Sequence, residues 1–177
     1  MTTNAGALDR FALRLVRATR DNRTSPWRQV LRLLGVDIPP EVRIGRDLYL
    51  PHVGAGHTVH WNTTIGDDVI LNCGVVLGRS DLRGDPALPP RFVIGDGVVI
   101  GANAVLACRG GETLVVGAGT VIGANAVLTH STGPGEVWVG NPARPLRREV
   151  EPEARVREHE VVLPAPEGLV AAPGVLV

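Results

Sequence analysis

The chain repeats itself every six residues. An aliphatic residue recurs at Val59, Ile65, Leu71 and Leu77, again at Ile94, Ile100 and Leu106, and again at Val116, Ile122 and Leu128. The next residue is glycine at Gly66, Gly78, Gly95, Gly101, Gly117 and Gly123. The fifth residue of each unit is small or β-branched: Val69, Val75, Val98, Ala104, Thr120 and Ala126. Ordinary antiparallel strands would give period two within strands and irregular spacing between turns. Here the phase returns after every interruption. So short a fixed period marks a solenoid, in which each coil buries an inward row against the next. The lead and fifth residues are expected to face inward. The glycine is expected at a corner where φ can be positive. The reading is a mainly β chain: a parallel β-helix of hexapeptide repeats.

The interruptions are informative because loops on a rigid scaffold carry function. The period begins faintly at Ile38, Ile44 and Leu50, with Val42 and Leu48 at fifth positions. Three breaks follow: Pro51 to His57, Arg79 to Phe92, and the Arg-Gly-Gly-Glu insertion Arg109 to Glu112. Ahead of the repeats, Leu8, Phe11, Leu15 and Ala18 fall near helical spacing with arginines on the other faces. Such a basic amphipathic helix suits a membrane surface, but a cap on the end of the solenoid is the preferred reading. Thr24-Ser25-Pro26 offers a hydroxyl N-cap and a first-turn proline for a second helix, Trp27 to Leu34, stopped by Gly35. The expected division is a helical segment 1–36, a β-helix 37–147 and a Pro-, Glu- and Val-rich tail 148–177.

Charge narrows the chemistry. The 18 basic residues balance 18 acidic ones, which argues against nucleic acid as the general partner. Every basic residue is arginine, so lysine Schiff-base chemistry and a P-loop lysine are excluded. No apolar run approaches membrane-spanning length, and no membrane partner is expected. Cys73 and Cys108 form no C-x-x-C pair, and both read as reduced thiols of a cytoplasmic protein. His52, His57 and His60 cluster at the first break. A histidine there can serve as a general base near neutral pH. A zinc reading would need a third ligand such as His130 and is disfavoured. His57 and His60 read more simply as exposed polar loop residues.

These stretches resemble the left-handed β-helix acyltransferases, most closely the serine O-acetyltransferase branch. The resemblance is carried by Arg43 to His52, Thr63 to Ser80, Val93 to Leu106, Val115 to Leu128 and Trp138 to Arg147, most of residues 26–147. It implies a left-handed triangular prism with a short N-terminal helical cap. It implies homotrimers with active sites between subunits, and acetyl-CoA or another acyl-CoA as co-substrate without a metal. By that likeness His52 matches the base that deprotonates the acceptor hydroxyl during direct transfer. Gly78, Ala102 and Ala124 match the coenzyme groove, and Arg144 is the candidate for its phosphates. Asp81, Asp85 and Arg91 become candidates for the small-molecule acceptor. Two departures stand out: Pro51 replaces an aspartate, and Pro89 stands where the branch has a second histidine. Serine or a serine-like hydroxyl compound is the leading acceptor. A sugar or amine acceptor, a γ-carbonic-anhydrase-like zinc enzyme and a non-enzymatic scaffold remain alternatives.

Overall fold

The computed structural model describes residues 7–18, 25–52 and 56–146. The expected tail, 148–177, lies outside them. Among the described residues, helix α1 (Ala7–Ala18) and helix α2 (Trp27–Leu33) lead into fourteen short strands. The strands form three sheets, parallel except for the last strand, that make the faces of a left-handed prism. The first face stacks β1 (Val36–Asp37), β3 (His57–Val59), β6 (Val76–Arg79), β9 (Val105–Cys108) and β12 (Val127–Leu128). The second stacks β2 (Arg43–Ile44), β4 (Thr63–Ile65), β7 (Arg91–Ile94) and β10 (Thr113–Val116). The third stacks β5 (Ile70–Leu71), β8 (Val99–Ile100), β11 (Val121–Ile122), β13 (Val137–Val139) and β14 (Arg144–Pro145). Tyr49 bridges to Ile70 and brings the first coil onto that face.

Six-residue spacing places one lead residue on each face per coil, and the register is direct. Ile65 pairs with Ile94, Leu71 with Ile100, and Leu77 with Leu106. Lead residues and fifth residues form the core together: Ile65, Val69, Leu71, Val75 and Leu77 are at most 2% exposed. Fully burying each such side chain stabilises the fold by roughly 1.5–3 kcal/mol.

The glycines act differently from expectation. Positive φ falls not on the glycine after the lead residue but two positions later, at Asp47, Asp68, Gly74, Gly97, Asn103, Gly119 and Asn125. Asn and Asp tolerate this left-handed region better than most residues. The glycine after the lead residue instead allows close approach between coils. A Cβ on Gly95 would lie 2.6 Å from the Ala118 nitrogen and 2.8 Å from its Cα.

The helical segment shares the prism's core. Val16 of α1 and Leu31 of α2 are buried with Val36, Ile38 and Val42, and Leu13 and Leu15 pack against that cluster. Phe11 and Ala18, expected on the inward side, stay exposed. Helix α2 begins without the expected hydroxyl cap. Pro26 holds the N-cap position, and the Arg28 N–H donates to the Ser25 carbonyl at 3.1 Å. At the far end residues 130–146 fold across the last coil. Thr132 N–H donates to Val115 O, Val127 N–H to Gly140 O, and β14 pairs antiparallel with β13.

Candidate active site

His52 lies at the corner between the third and first faces. It is exposed, its φ is 57°, and its side chain makes no hydrogen bond or ion pair among the described residues. The same corner carries Cys73–Gly74 in the next coil, Ala102–Asn103 in the one after and Ala124–Asn125 beyond. These turns are joined by Asn103 N–H to Cys73 O and Asn125 N–H to Ala102 O, both 2.8 Å. The Gly140–Ala143 turn continues the row, and Arg144 follows it, exposed. Coils stack about 4.8 Å apart, so the row from His52 to Arg144 runs roughly 20 Å along one corner.

That corner differs chemically from the one between the second and third faces. There, in the lower coils, the amides of Arg46 and Asp67 are capped by carboxylates, Asp67 Oδ1 at 2.7 Å and Asp96 Oδ1 at 2.8 Å. At the His52 corner the corresponding residues are Ala102 and Ala124. Their amides donate no hydrogen bond among the described residues. A line of open N–H donors beside an exposed imidazole can polarise a carbonyl oxygen and hold an extended chain of amides. Gly78 adds a smooth floor on the first face. A Cβ there would meet only Val76 Cγ1, at 3.8 Å.

The loop residues sit across the first face, at its corner with the second. Asp81 accepts from Arg79 Nε at 2.8 Å and from the Gly110 N–H at 2.9 Å. Arg79 Nη2 donates to Asp85 O, and the Asp85 carboxylate accepts from the Ala87 N–H. Asp81 thus ties the long loop to the Arg-Gly-Gly-Glu insertion. The Arg79 guanidinium beside it and the Gly110 amide hold its carboxyl below the usual range. A cavity of about 720 Å³ opens next to this tie, lined by Ser80, Asp81, Ala107, Arg109, Glu112, Thr129 and His130. Within one chain the first face separates Asp81 and Asp85 from His52. Arg91 points elsewhere, into a hollow on the second face.

Two histidines depart from the exposed-loop reading. His57 is 1% exposed because it alternates with Val59 on β3 and faces inward, with Nε2 3.2 Å from Leu71 O. It therefore does not share the outer surface with His52. Among the described residues no group of three or more His, Cys, Asp or Glu is placed to hold a metal ion. His60 is half-buried, its ring 5.8 Å from Phe92 and 5.5 Å from Trp61. Its position directly after the Val59 lead, where other units carry glycine, is the sequence signal that it belongs to the coil. Burial, and secondarily the Arg79 charge, push its pKa below the ordinary value. The unfolded chain therefore binds a proton at a pH where the folded chain does not, and stability rises with pH across that interval. Acidification below about pH 6.5 is expected to lower the melting temperature. His60→Gln should flatten that part of the profile, measured by thermal melts from neutral to mildly acidic pH.

This is a hexapeptide-repeat left-handed β-helix with a small helical cap. More narrowly, its fold is serine acetyltransferase-like. No protein-family model matches the chain. It is 37% identical over 89 residues to a serine acetyltransferase of Helicobacter pylori, covering 42% of this chain and 52% of that protein. It is also 37% identical over 143 residues to probable serine acetyltransferase 4 of Oryza sativa subsp. japonica, covering 78% and 43%. Among solved structures it is similar to Neisseria gonorrhoeae serine acetyltransferase in complex with serine, at 30% identity and TM-score 0.60, covering 77% of this chain and 55% of that one. Brucella abortus serine acetyltransferase in complex with coenzyme A is similar at 25% identity and TM-score 0.61, covering 76% and 54%. The chain spans about half the length of the curated relatives it matches first. No helix among the described residues is long and apolar enough to cross a membrane.

Proposed function

We propose that this protein is a coenzyme A-dependent acyltransferase. It moves an acetyl group from acetyl-CoA to the hydroxyl of serine or a serine-like small molecule, and it acts as a homotrimer in the cytoplasm. The observation that carries this reading is the single corner row of exposed His52 with the open amides of Ala102 and Ala124. His52 takes the proton of the acceptor hydroxyl as its oxygen attacks the thioester carbonyl. The carbon–sulfur bond breaks, and the departing thiolate recovers the proton from the imidazolium as free coenzyme A. Corner amides steady the carbonyl oxygen while it carries charge. Gly78 and Arg144 accommodate the coenzyme, Arg144 pairing with its phosphates. Asp81 and Asp85 shape the acceptor's side, which a second subunit brings to His52. Similar structures solved with serine and with coenzyme A support the substrate pair.

The test is thiol release from acetyl-CoA with a panel of hydroxyl, sugar and amine acceptors. Serine or a close hydroxyl analogue is expected to stimulate release; stimulation by none of them would overturn the proposal. Gly78→Ala separates groove from scaffold. Its melting temperature should match the parent, because the added methyl has room. The KM for acetyl-CoA should rise severalfold, because the floor under the coenzyme is raised. An unchanged KM would remove Gly78 from the groove.

A further inference from the structure

The second face carries a hollow that the transfer mechanism above does not use. It measures about 380 Å³ and is lined by Glu41, Arg43, Trp61, Asn62, Thr63, Thr64 and Arg91. Its floor is β4. Thr63 turns inward and is 2% exposed, so Asn62 and Thr64 turn outward beneath the hollow. Arg43 of β2 pairs with Thr64 from one side. On the other side β7 follows β4, with Phe92 opposite Thr63, so Arg91 stands beside Asn62. Two strand spacings of about 4.8 Å across the sheet and an offset of two residues, roughly 6.6 Å, along it separate the arginine backbones, within the reach of two long side chains toward a common point. Both are exposed, and neither side chain makes a hydrogen bond or ion pair among the described residues. Glu41 is the one acidic residue of the lining, so the hollow is net positive.

Trp61 closes one side. It is 47% exposed, large for an indole on a rigid coil, and the tilted His60 ring at 5.5 Å flanks it. Asn62 is fixed by its Nδ2 donating to Pro90 O at 3.2 Å, which holds the floor and the start of β7 together. The combination is specific. Two unspent guanidiniums recognise a compact oxyanion through paired hydrogen bonds. The open indole face beside them takes a flat ring.

We propose that this hollow is a binding site for an oxyanion carried on a flat ring, a nucleoside phosphate in chemical class. Arg43 and Arg91 hold the phosphate and Trp61 stacks on the base. Two sources present this chemistry: the phosphoadenosine end of coenzyme A, or a separate nucleotide.

Tryptophan fluorescence of the 177-residue chain tests it directly, without any activity. Adenosine 3′,5′-bisphosphate, AMP and coenzyme A are titrated in turn, with adenosine as the uncharged control. Saturable quenching is expected with phosphorylated ligands and not with adenosine. It should vanish in Trp61→Phe, which keeps Trp27 and Trp138 as reporters of folding. Arg43→Gln and Arg91→Gln should each weaken binding about tenfold or more, and added salt should weaken it in the parent. Quenching by coenzyme A and the bisphosphate but not AMP identifies the coenzyme's own end as the source. Quenching by all three assigns a general nucleotide site. No saturable quenching by any phosphate, or quenching that survives both arginine variants, overturns the proposal. These outcomes do not depend on thiol release, so failure of this site leaves the transfer reading standing; the coenzyme outcome would move the phosphate-binding role from Arg144 to this hollow.

Discussion

His52→Ala is expected to slow acyl transfer by about 10²–10⁴-fold, the usual contribution of a positioned general base. The loss should fall on kcat, with the KM for acetyl-CoA little changed, because the proposed site holds the coenzyme through other residues of the same corner. The fold should survive, since the imidazole is exposed and bonds to nothing among the described residues. Its φ of 57° makes the choice of variant matter. Alanine is disfavoured in the left-handed region by roughly 1–2 kcal/mol, whereas asparagine tolerates it. His52→Asn is therefore the companion variant: slowed like the alanine variant, and at least as stable to heat. Steady-state kinetics alongside thermal melts check both. Full activity in either variant would remove His52 from the mechanism.

Gly95→Val is expected to cost about 3 kcal/mol of stability, near the upper end of ordinary overpacking. For a chain of this size that corresponds to a fall of about 6–12 °C in Tm. The cause is contact between backbones. The first side-chain carbon would meet Ala118 N at 2.6 Å and Val116 O at 3.0 Å, atoms that belong to the next coil's turn and cannot swing aside. Backbone strain is no part of it, because Gly95 is not among the residues with positive φ. Gly78→Ala is the matched control. Equal melting of Gly95→Val and the parent would show that the coils can part locally without cost.

The architecture was legible because six-residue spacing is itself a geometric statement. Val59, Ile65 and Leu71 cannot all point inward at that interval unless the chain turns twice between them. The function of the glycines was less legible, since permissive φ and close approach both select glycine. Only the position of Asn103 and Asn125 two residues later tells them apart. His57 was misread because a polar residue inside a break looks like loop. The strand resumes at His57 and carries it inward, where a backbone carbonyl accommodates its ring. Ala102, Ala124 and Arg144 are named from likeness alone, and likeness singles out His52 from the histidines clustered at the first break. Their placement along one corner is a property of coil stacking that spacing across three breaks does not disclose. Arg43 and Trp61 carried no signal, because nothing in the linear order relates β2 to the start of β7.

The segment 130–146 closes more than the core. A solenoid of this kind has no intrinsic length: each coil offers the next the same hydrogen-bonding lattice, and another molecule's first coil could serve as well. Here Thr132 occupies the exposed rim of the second face, the Gly140–Ala143 turn that of the first, and β14 that of the third, running against the strand direction. The reversed strand is a poor template for further parallel addition. Among the described residues the last coil is thus covered on all three sides, and none of its rims is left as an open template for another molecule's coil.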